Sequence, residues 1–331
     1  MNGGIVIRGL AAAGLVGVVM ALAGVASATT ANYQCVQSIS TGAPVYGVAV
    51  DSSGNIWSDG AGSQPVQEVS STGTILKQFG APYVLSGTAL AFDSSGNVWV
   101  TDVGGGLVQF SSGGTLLNRY QSRNYLAYNA LQSPSGVAFD SAGNILVTDW
   151  TSNGGLEKFN NSGTFLGRIG GSGSGSGTLN DPWGVTLDHS GNILVSDSDN
   201  NRIVKYDSSG NFLMQIGSYG SGNGNLNEPG GLAVDVAGNI WIADSKNNRV
   251  EEFDSNGNYL TQFGSLGSGA GQFSGPSGIA FDAAGNIWVT DSWNHRLQEF
   301  SPVPEPSTLV LLGIGVISLL AYACRRRAKA P

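Results

Sequence analysis

Charge, sulfur and imidazole are scarce in this chain. Of 331 residues, 11% are charged, two are Cys and two are His. Cys35 and Cys324 stand near opposite ends and build no disulfide framework. His189 and His295 have neither a His-x-His nor a His-Glu-x-x-His partner, which argues against the common zinc sites. No Gly-x-Ser-x-Gly elbow stands between a strand and a helix pattern. The glycine-serine run 171–177 lacks a Lys-Ser/Thr sequel and a following helix, so it reads as a flexible link rather than a phosphate cradle. Basic residues are few and unevenly placed: residues 29–302 hold 22 Asp+Glu against 10 Lys+Arg, a net −12. Such a surface repels phosphate backbones, and no nucleic-acid partner is expected. No catalytic, cofactor-binding or metal-ligating set is assigned.

Glycine is abundant, at 51 residues, and hydrophobic residues make up 41%. Glycine is costly inside helices and natural in turns, so the composition points to an all-β chain. Asp-x-x-Gly-Asn occurs at Asp51, Asp93, Asp140, Asp188, Asp235 and Asp282, with spacings of 42, 47, 48, 47 and 47. Between these turns lie short runs rich in Val, Ile, Leu, Phe, Trp and Tyr. In one unit they are 231–234, 239–243, 249–253 and 259–263. Four strands per period in the forties predict a six-bladed β-propeller over residues 29–302. The last unit lacks a fourth strand, whereas residues 33–40 (YQCVQSIS) precede the first unit without a blade of their own. They are expected to complete blade six and close the ring, which removes two open edges. Cys35 then sits in an outer strand as a packing residue.

The repeated pattern Gly-[Leu/Val/Ile]-Ala-[Val/Phe]-Asp-x-x-Gly-Asn-Ile-[Trp/Leu]-Val-[Thr/Ala/Ser]-Asp, then Asn-Asn-Arg and Phe-Asp, resembles the NHL repeat. Blades four to six carry it nearly whole, with Asp197 before Arg202, Asp244 before Arg249 and Asp291 before Arg296. Blades one to three are degenerate: Asp102 has no arginine in the motif slot, and blade one reads as a residue short after Trp57. The resemblance implies a fold rather than an activity.

The two ends imply an address. Residues 1–28 read as a cleavable secretory signal, with Arg8, an apolar 9–24 and the small residues Ala26-Ser27-Ala28; cleavage is expected after Ala28 by signal peptidase. Residues 303–331 form a tail. Its apolar span 308–323 covers roughly 24 Å as a helix, against a hydrocarbon core of about 30 Å. Pro304-Glu305-Pro306, the span, and Arg325, Arg326 and Arg327 together resemble the PEP-CTERM sorting signal. That resemblance implies processing by an exosortase and transient membrane anchorage. The arginines stay cytoplasmic and place the propeller outside. The expected location is an inner-membrane-anchored intermediate, then the cell surface or medium.

Recurrent residues build the ring; function is sought where blades depart from the template. The six Asp-x-x-Gly-Asn aspartates read as turn formers. Trp57, Trp99, Trp241 and Trp288 share one strand slot and read as packing. Trp150, Trp183 and Trp293 fall in loops of one face, near Asp149, Asp291, Asn294 and His295. These seven are the candidate ligand face, an aromatic platform for a glycan or protein ligand. The chain is thus read as an exported binding or scaffold module of the cell surface or extracellular matrix. The alternative is a secreted propeller enzyme, lyase- or lactonase-like, with a carboxylate or metal site at the channel mouth. RNA-binding propellers of the TRIM-NHL type conflict with the leader and the acidic balance.

Overall fold

The computed structural model describes residues 33–61, 65–104, 106–121, 131–150 and 154–303. The leader 1–28, the span 308–323 and the motif residues Pro304 to Pro306 and Arg325 to Arg327 lie outside the described residues. Among the described residues no helix is long and apolar enough to cross a membrane.

Twenty-four strands, β1 to β24 in chain order, form six four-stranded antiparallel sheets. Blade one is β2 (Val45–Val50), β3 (Ile56–Gly60), β4 (Val66–Val69) and β5 (Ile75–Phe79). Blade five is β18 (Pro229–Val234), β19 (Ile240–Asp244), β20 (Arg249–Phe253) and β21 (Tyr259–Phe263), so its first strand begins two residues before the apolar run read from sequence. Blade six is β22 (Pro276–Phe281), β23 (Ile287–Asp291), β24 (Arg296–Pro302) and, from the other end of the chain, β1 (Tyr33–Ser40). Tyr33 pairs with Pro302 and Ser40 with Arg296, which closes the ring.

The repeated turn explains its own sequence. Asp51 Oδ1 accepts the amides of Ser53 and Asn55 at 2.8 and 2.9 Å. Its Oδ2 accepts from Asn55 Nδ2 and from Trp57 Nε1, at 3.2 and 3.0 Å. One carboxylate thereby ties the turn to the packing tryptophan of the next strand. Burial alone would raise Asp93, but hydrogen bonds from Trp99 and Asn97 outweigh it and hold its carboxyl below the usual range. Six hydrophobic clusters fill the wedges between neighbouring blades. In one of them Trp57 and Val66 of blade one meet Leu90, Val98, Val100 and Phe110 of blade two.

Register corrects two readings. β3 is full length: Val48 pairs with Ser58 as Leu90 pairs with Val100 in blade two. Asp59 therefore occupies the slot of Thr101, and Gly60 that of Asp102. The 171–177 run is also no slack linker. Gly173 donates to Leu179, Leu179 to Gly171, and the Arg202 guanidinium to Gly175 and Thr178. Positive φ at Gly173 and Gly177 lets the chain fold back on itself there.

Loops joining second to third strands, and the links between blades, share one face, called upper here. The Asp-x-x-Gly-Asn turns lie on the lower face, and Ser301 Oγ reaches Asn286 of such a turn at 2.6 Å. Both chain ends of the ring, Tyr33 and Pro302, thus leave it from the lower face.

Candidate functional site

The first strand of each blade lines the central channel. Equivalent positions give three rings. Gly47, Ala89, Gly136, Gly184, Gly231 and Gly278 keep the inner strands close. A Cβ at Gly47 would stand 2.7 Å from Ala89 Cα. Below them, Val48, Leu90, Val137, Val185, Leu232 and Ile279 form an apolar ring, and the pocket lined by the rings has a volume of about 80 Å³. No carboxylate or imidazole is among the described residues lining it.

At the upper mouth the third ring is uneven. Tyr46 and Trp183 stand where other blades have Thr88, Ser135, Gly230 and Ser277. Blades one and four are opposite in a ring of six, and both aromatics line the space at this mouth. Gly230 leaves the side toward blade five open. From there a cleft of about 220 Å³ runs outward, lined by Tyr46, Trp183, Glu228, Lys246 and Trp293. Trp293 is 76% exposed and lies over Gly275, where any side chain would strike its ring.

The floor is hydroxyl-rich but short of donors. Ser198, Ser245 and Ser292 line the cleft and donate to Pro229, Pro276 and Val45 carbonyls at 2.6, 2.6 and 2.7 Å. Ser277 donates to Tyr46 O at 3.0 Å. Each hydroxyl thus staples its blade to the next and keeps only lone pairs for a visitor. At the rim Glu228 adopts φ +46, a conformation that costs a non-glycine residue about 1–2 kcal/mol. Its amide is held by Asn201 Oδ1 at 2.9 Å, and its carboxylate faces Lys246 Nζ at 3.5 Å.

Of the seven residues singled out from sequence, Trp183 and Trp293 line this cleft together. Trp150 is exposed on blade three and is not among the lining residues. Asp291 is fully buried and occupied: it accepts from Ser274 N, Asn294 Nδ2, Arg296 Nε and Gln298 Nε2. Asn294 spends its amide on Asp291 and Gly267 O. Asp149 is buried and accepts the amides of Gln132 and Ser133 at 2.6 and 3.1 Å. His295 is exposed at φ +51, the left-handed slot that Asn201 and Asn248 fill in sister blades. The carboxylates and Asn294 are therefore consumed by the scaffold, and the tryptophans are free. Tyr46, Glu228 and Lys246 escaped the sequence reading. Aligning the slot before each channel glycine would have exposed Tyr46 as an aromatic among small residues.

Tyr83, Leu85, Val103, Trp150, Tyr219, Leu266 and Trp293 are exposed on the upper face, while Val36, Ile75, Leu76, Leu117, Leu166, Phe212 and Leu213 are exposed on the outer strands and Val236 on a lower turn, among the described residues.

Comparison with known proteins supports the fold and the address. The NHL repeat matches residues 131–159, 179–206, 226–253 and 273–300, which are blades three to six. The PEP-CTERM protein-sorting motif matches 302–327. It implies export, exosortase processing and a membrane-anchored sorting intermediate. A streptogramin B lyase superposes with a TM-score of 0.60 at 17% identity, covering 82% of this chain and 98% of the other. A gluconolactonase from Xanthomonas campestris gives 0.62 at 17%, covering 83% and 90%. An auxiliary nutrient binding protein from Bacteroides thetaiotaomicron gives 0.60 at 12%, covering 79% and 69%. At these identities the likeness is one of fold. No curated protein sequence matches the chain. The chain is a six-bladed β-propeller with NHL repeats in blades three to six, and it carries a PEP-CTERM protein-sorting motif.

Proposed function

We propose that this propeller is an exported binding module of the cell surface or extracellular matrix, and that it takes a glycan or peptide ligand on its upper face. The observation that carries this reading is the cleft lined by Tyr46, Trp183 and Trp293. Aromatic faces offer large contact area at low entropic cost, and the hydroxyl lone pairs of the floor accept from a polar ligand. The small volume of the channel pocket, about 80 Å³ against about 220 Å³ for the cleft, favours a surface site over one in the channel.

Binding of the propeller (residues 29–303) to a glycan and peptide array tests this. Trp183→Ala with Trp293→Ala is expected to weaken capture about tenfold or more, since losing a buried aromatic contact costs ~1–3 kcal/mol. Trp150→Ala is expected to leave it unchanged. Equal capture by the double variant would remove the cleft from the reading, and no capture at all would remove the reading. Turnover of a streptogramin or a lactone, abolished by chelator, would replace it with the enzymatic one.

Both chain ends leave the ring on the face opposite the cleft. A propeller fixed to a sensor through its C-terminal end is therefore expected to bind as fully as the free one. Loss of capacity in that orientation alone would place the ligand on the lower face.

A further inference from the structure

The seam between blades one and two differs from its five sisters. Side chains alternate along a strand, and Trp57 of β3 packs toward blade two, so Asp59 points the same way. In blade two, β6 is Gly87–Phe92 and β7 is Val98–Asp102. Val98 and Val100 of β7 pack toward blade one in the same cluster, and Asp102 shares their side. Two carboxyls therefore converge on one seam. In the other blades the slot of Asp59 holds Thr101, Thr148, Ser196, Ala243 and Thr290. The hydroxyls there donate to first-strand carbonyls of the following blade: Thr101 to Ser135, Thr148 to Trp183, Ser196 to Gly230 and Thr290 to Tyr46.

Neither carboxyl is fully occupied. Asp59 is completely buried; its Oδ1 accepts the Gly47 amide at 2.8 Å and its Oδ2 has no partner. Asp102 is 1% exposed; its Oδ1 accepts the Leu85 and Ser86 amides at 3.1 and 2.9 Å, and its Oδ2 has none. In blades four to six the corresponding oxygen takes an arginine Nε. Glycines flank both empty oxygens. A Cβ on Gly87, which pairs with Asp102, would stand 3.0 Å from Asp59 Oδ2; one on Gly104 would stand 3.0 Å from Asp102 Oδ2. Little else ionisable is at hand. Tyr46 is the titratable residue of β2; Glu68 of β4 is held by Lys77 at 2.7 Å and Asn55; β6 has none.

We propose that Asp59, buried against Asp102, is a proton-binding site, so that the seam between blades one and two is tight in acid and weakened in base. Two like charges in a buried site cannot both stay ionised without a counter-charge. Among the described residues no group of three or more His, Cys, Asp or Glu offers a metal ion a place here. Burial above all, with a contribution from Asp102, pushes the Asp59 carboxyl up to about 7, against the lowering hydrogen bond of the Gly47 amide. This inference is independent of what the upper face binds.

The sign follows from linkage. The unfolded chain ionises Asp59 near 3.8, the folded chain near 7. Folding is undisturbed below the first value, weakens as pH rises between them, and stays weakened above the second. Glu251 and Glu252 also titrate near 7, so the variant must serve as the baseline. Urea denaturation of the propeller and of Asp59→Thr, from pH 4 to 8.5, is the test. The folding constant of the natural chain is expected to fall relative to the variant by about a thousand-fold across that window. Asp59→Asn serves if the threonine variant fails to fold. The Asp59 carboxyl carbon, followed by NMR, is expected to titrate near 7. Parallel pH curves for chain and variant, or a midpoint near 4, would overturn the proposal. So would stabilisation of the natural chain by calcium at pH 8 that the variant lacks, since a metal ion would then hold the pair.

Discussion

Removal of Tyr33–Ser40 is expected to leave the propeller unable to hold its ring. β1 contributes a whole strand to blade six, paired along β24 from Tyr33 opposite Pro302 to Ser40 opposite Arg296. Tyr33 meets Trp241 edge-on at 5.0 Å and stacks on Phe263 at 5.5 Å, and Ile39 is buried against Trp288 and Leu297. Burying Ile39 contributes about 1.5–3 kcal/mol, and the half-buried Tyr33 and Cys35 add to it. Domains are stable by only about 5–15 kcal/mol, so the loss is a sizeable share of the margin. The deletion also bares the edge of β24, a template for pairing with another chain. Size-exclusion chromatography and urea denaturation read the outcome: aggregation or early unfolding is expected. A monodisperse, equally stable product would show that blade six stands on three strands.

A circular permutant separates loss of the strand from loss of its place. Moving residues 33–40 behind Val303 through a short Asp-Ser-Asn-Gly turn, the chemistry of the Asp254 hairpin, rebuilds blade six as an ordinary four-stranded blade. The new ends would fall between Ser40 and Val45, on the upper face. Stability near that of the natural chain is expected.

Ring closure was legible because it is a counting argument. Six turns of one kind, a last unit short of one strand, and a spare strand at the other end admit one economical answer. The aspartates of the turns were equally plain, since six copies of one residue cannot serve one ligand. The site was less legible because it is assembled from exceptions. Trp183 and Trp293 stood out by residue type, but Tyr46 lies two residues after a proline in a strand that otherwise follows the template. It lines the same cleft as Trp183, and sequence distance hides that. Asp59 was hidden by a false gap, since blade one reads from sequence as a residue short after Trp57. The register of β2 with β3 puts it in a hydroxyl slot. Asp149, Asp291 and Asn294 show the converse. Their residue types suit a ligand, but inter-blade links and, beside Asp291, Arg296 had already claimed them.

The arginine that claims such an aspartate is the last place where a large effect is expected. Arg249 lies 6% exposed, with Nε 2.8 Å from Asp244 Oδ2 and Nη2 2.9 Å from Glu251 Oε1. The same guanidinium donates to the carbonyls of Ser221, Gly222 and Asn225, and so pins the link from blade four. Arg249→Met keeps the volume and removes the charge. It strands two fully buried carboxylates at once, whereas breaking one buried pair costs about 3–5 kcal/mol. Asp244→Ala leaves Arg249 its Glu251 partner and is expected to cost less than Arg249→Met. Asp102→Ala, at the sister position without an arginine, orphans two amides and no charge, for about 1–3 kcal/mol. The pH dependence identifies the cause. Burial first pushes Glu251 up to about 7 even with Arg249 opposing, and Asp244 is raised by burial as well. Without the arginine both rise further, so the folded variant ionises them only at a stability cost that grows with pH above the ordinary carboxylate range. Urea denaturation at pH 5 and pH 8 is expected to show a modest deficit for Arg249→Met at the lower pH and a severe one at the higher. An equal deficit at both would mean that Arg249 holds the link through its carbonyl contacts alone, and that its charge is incidental to the fold.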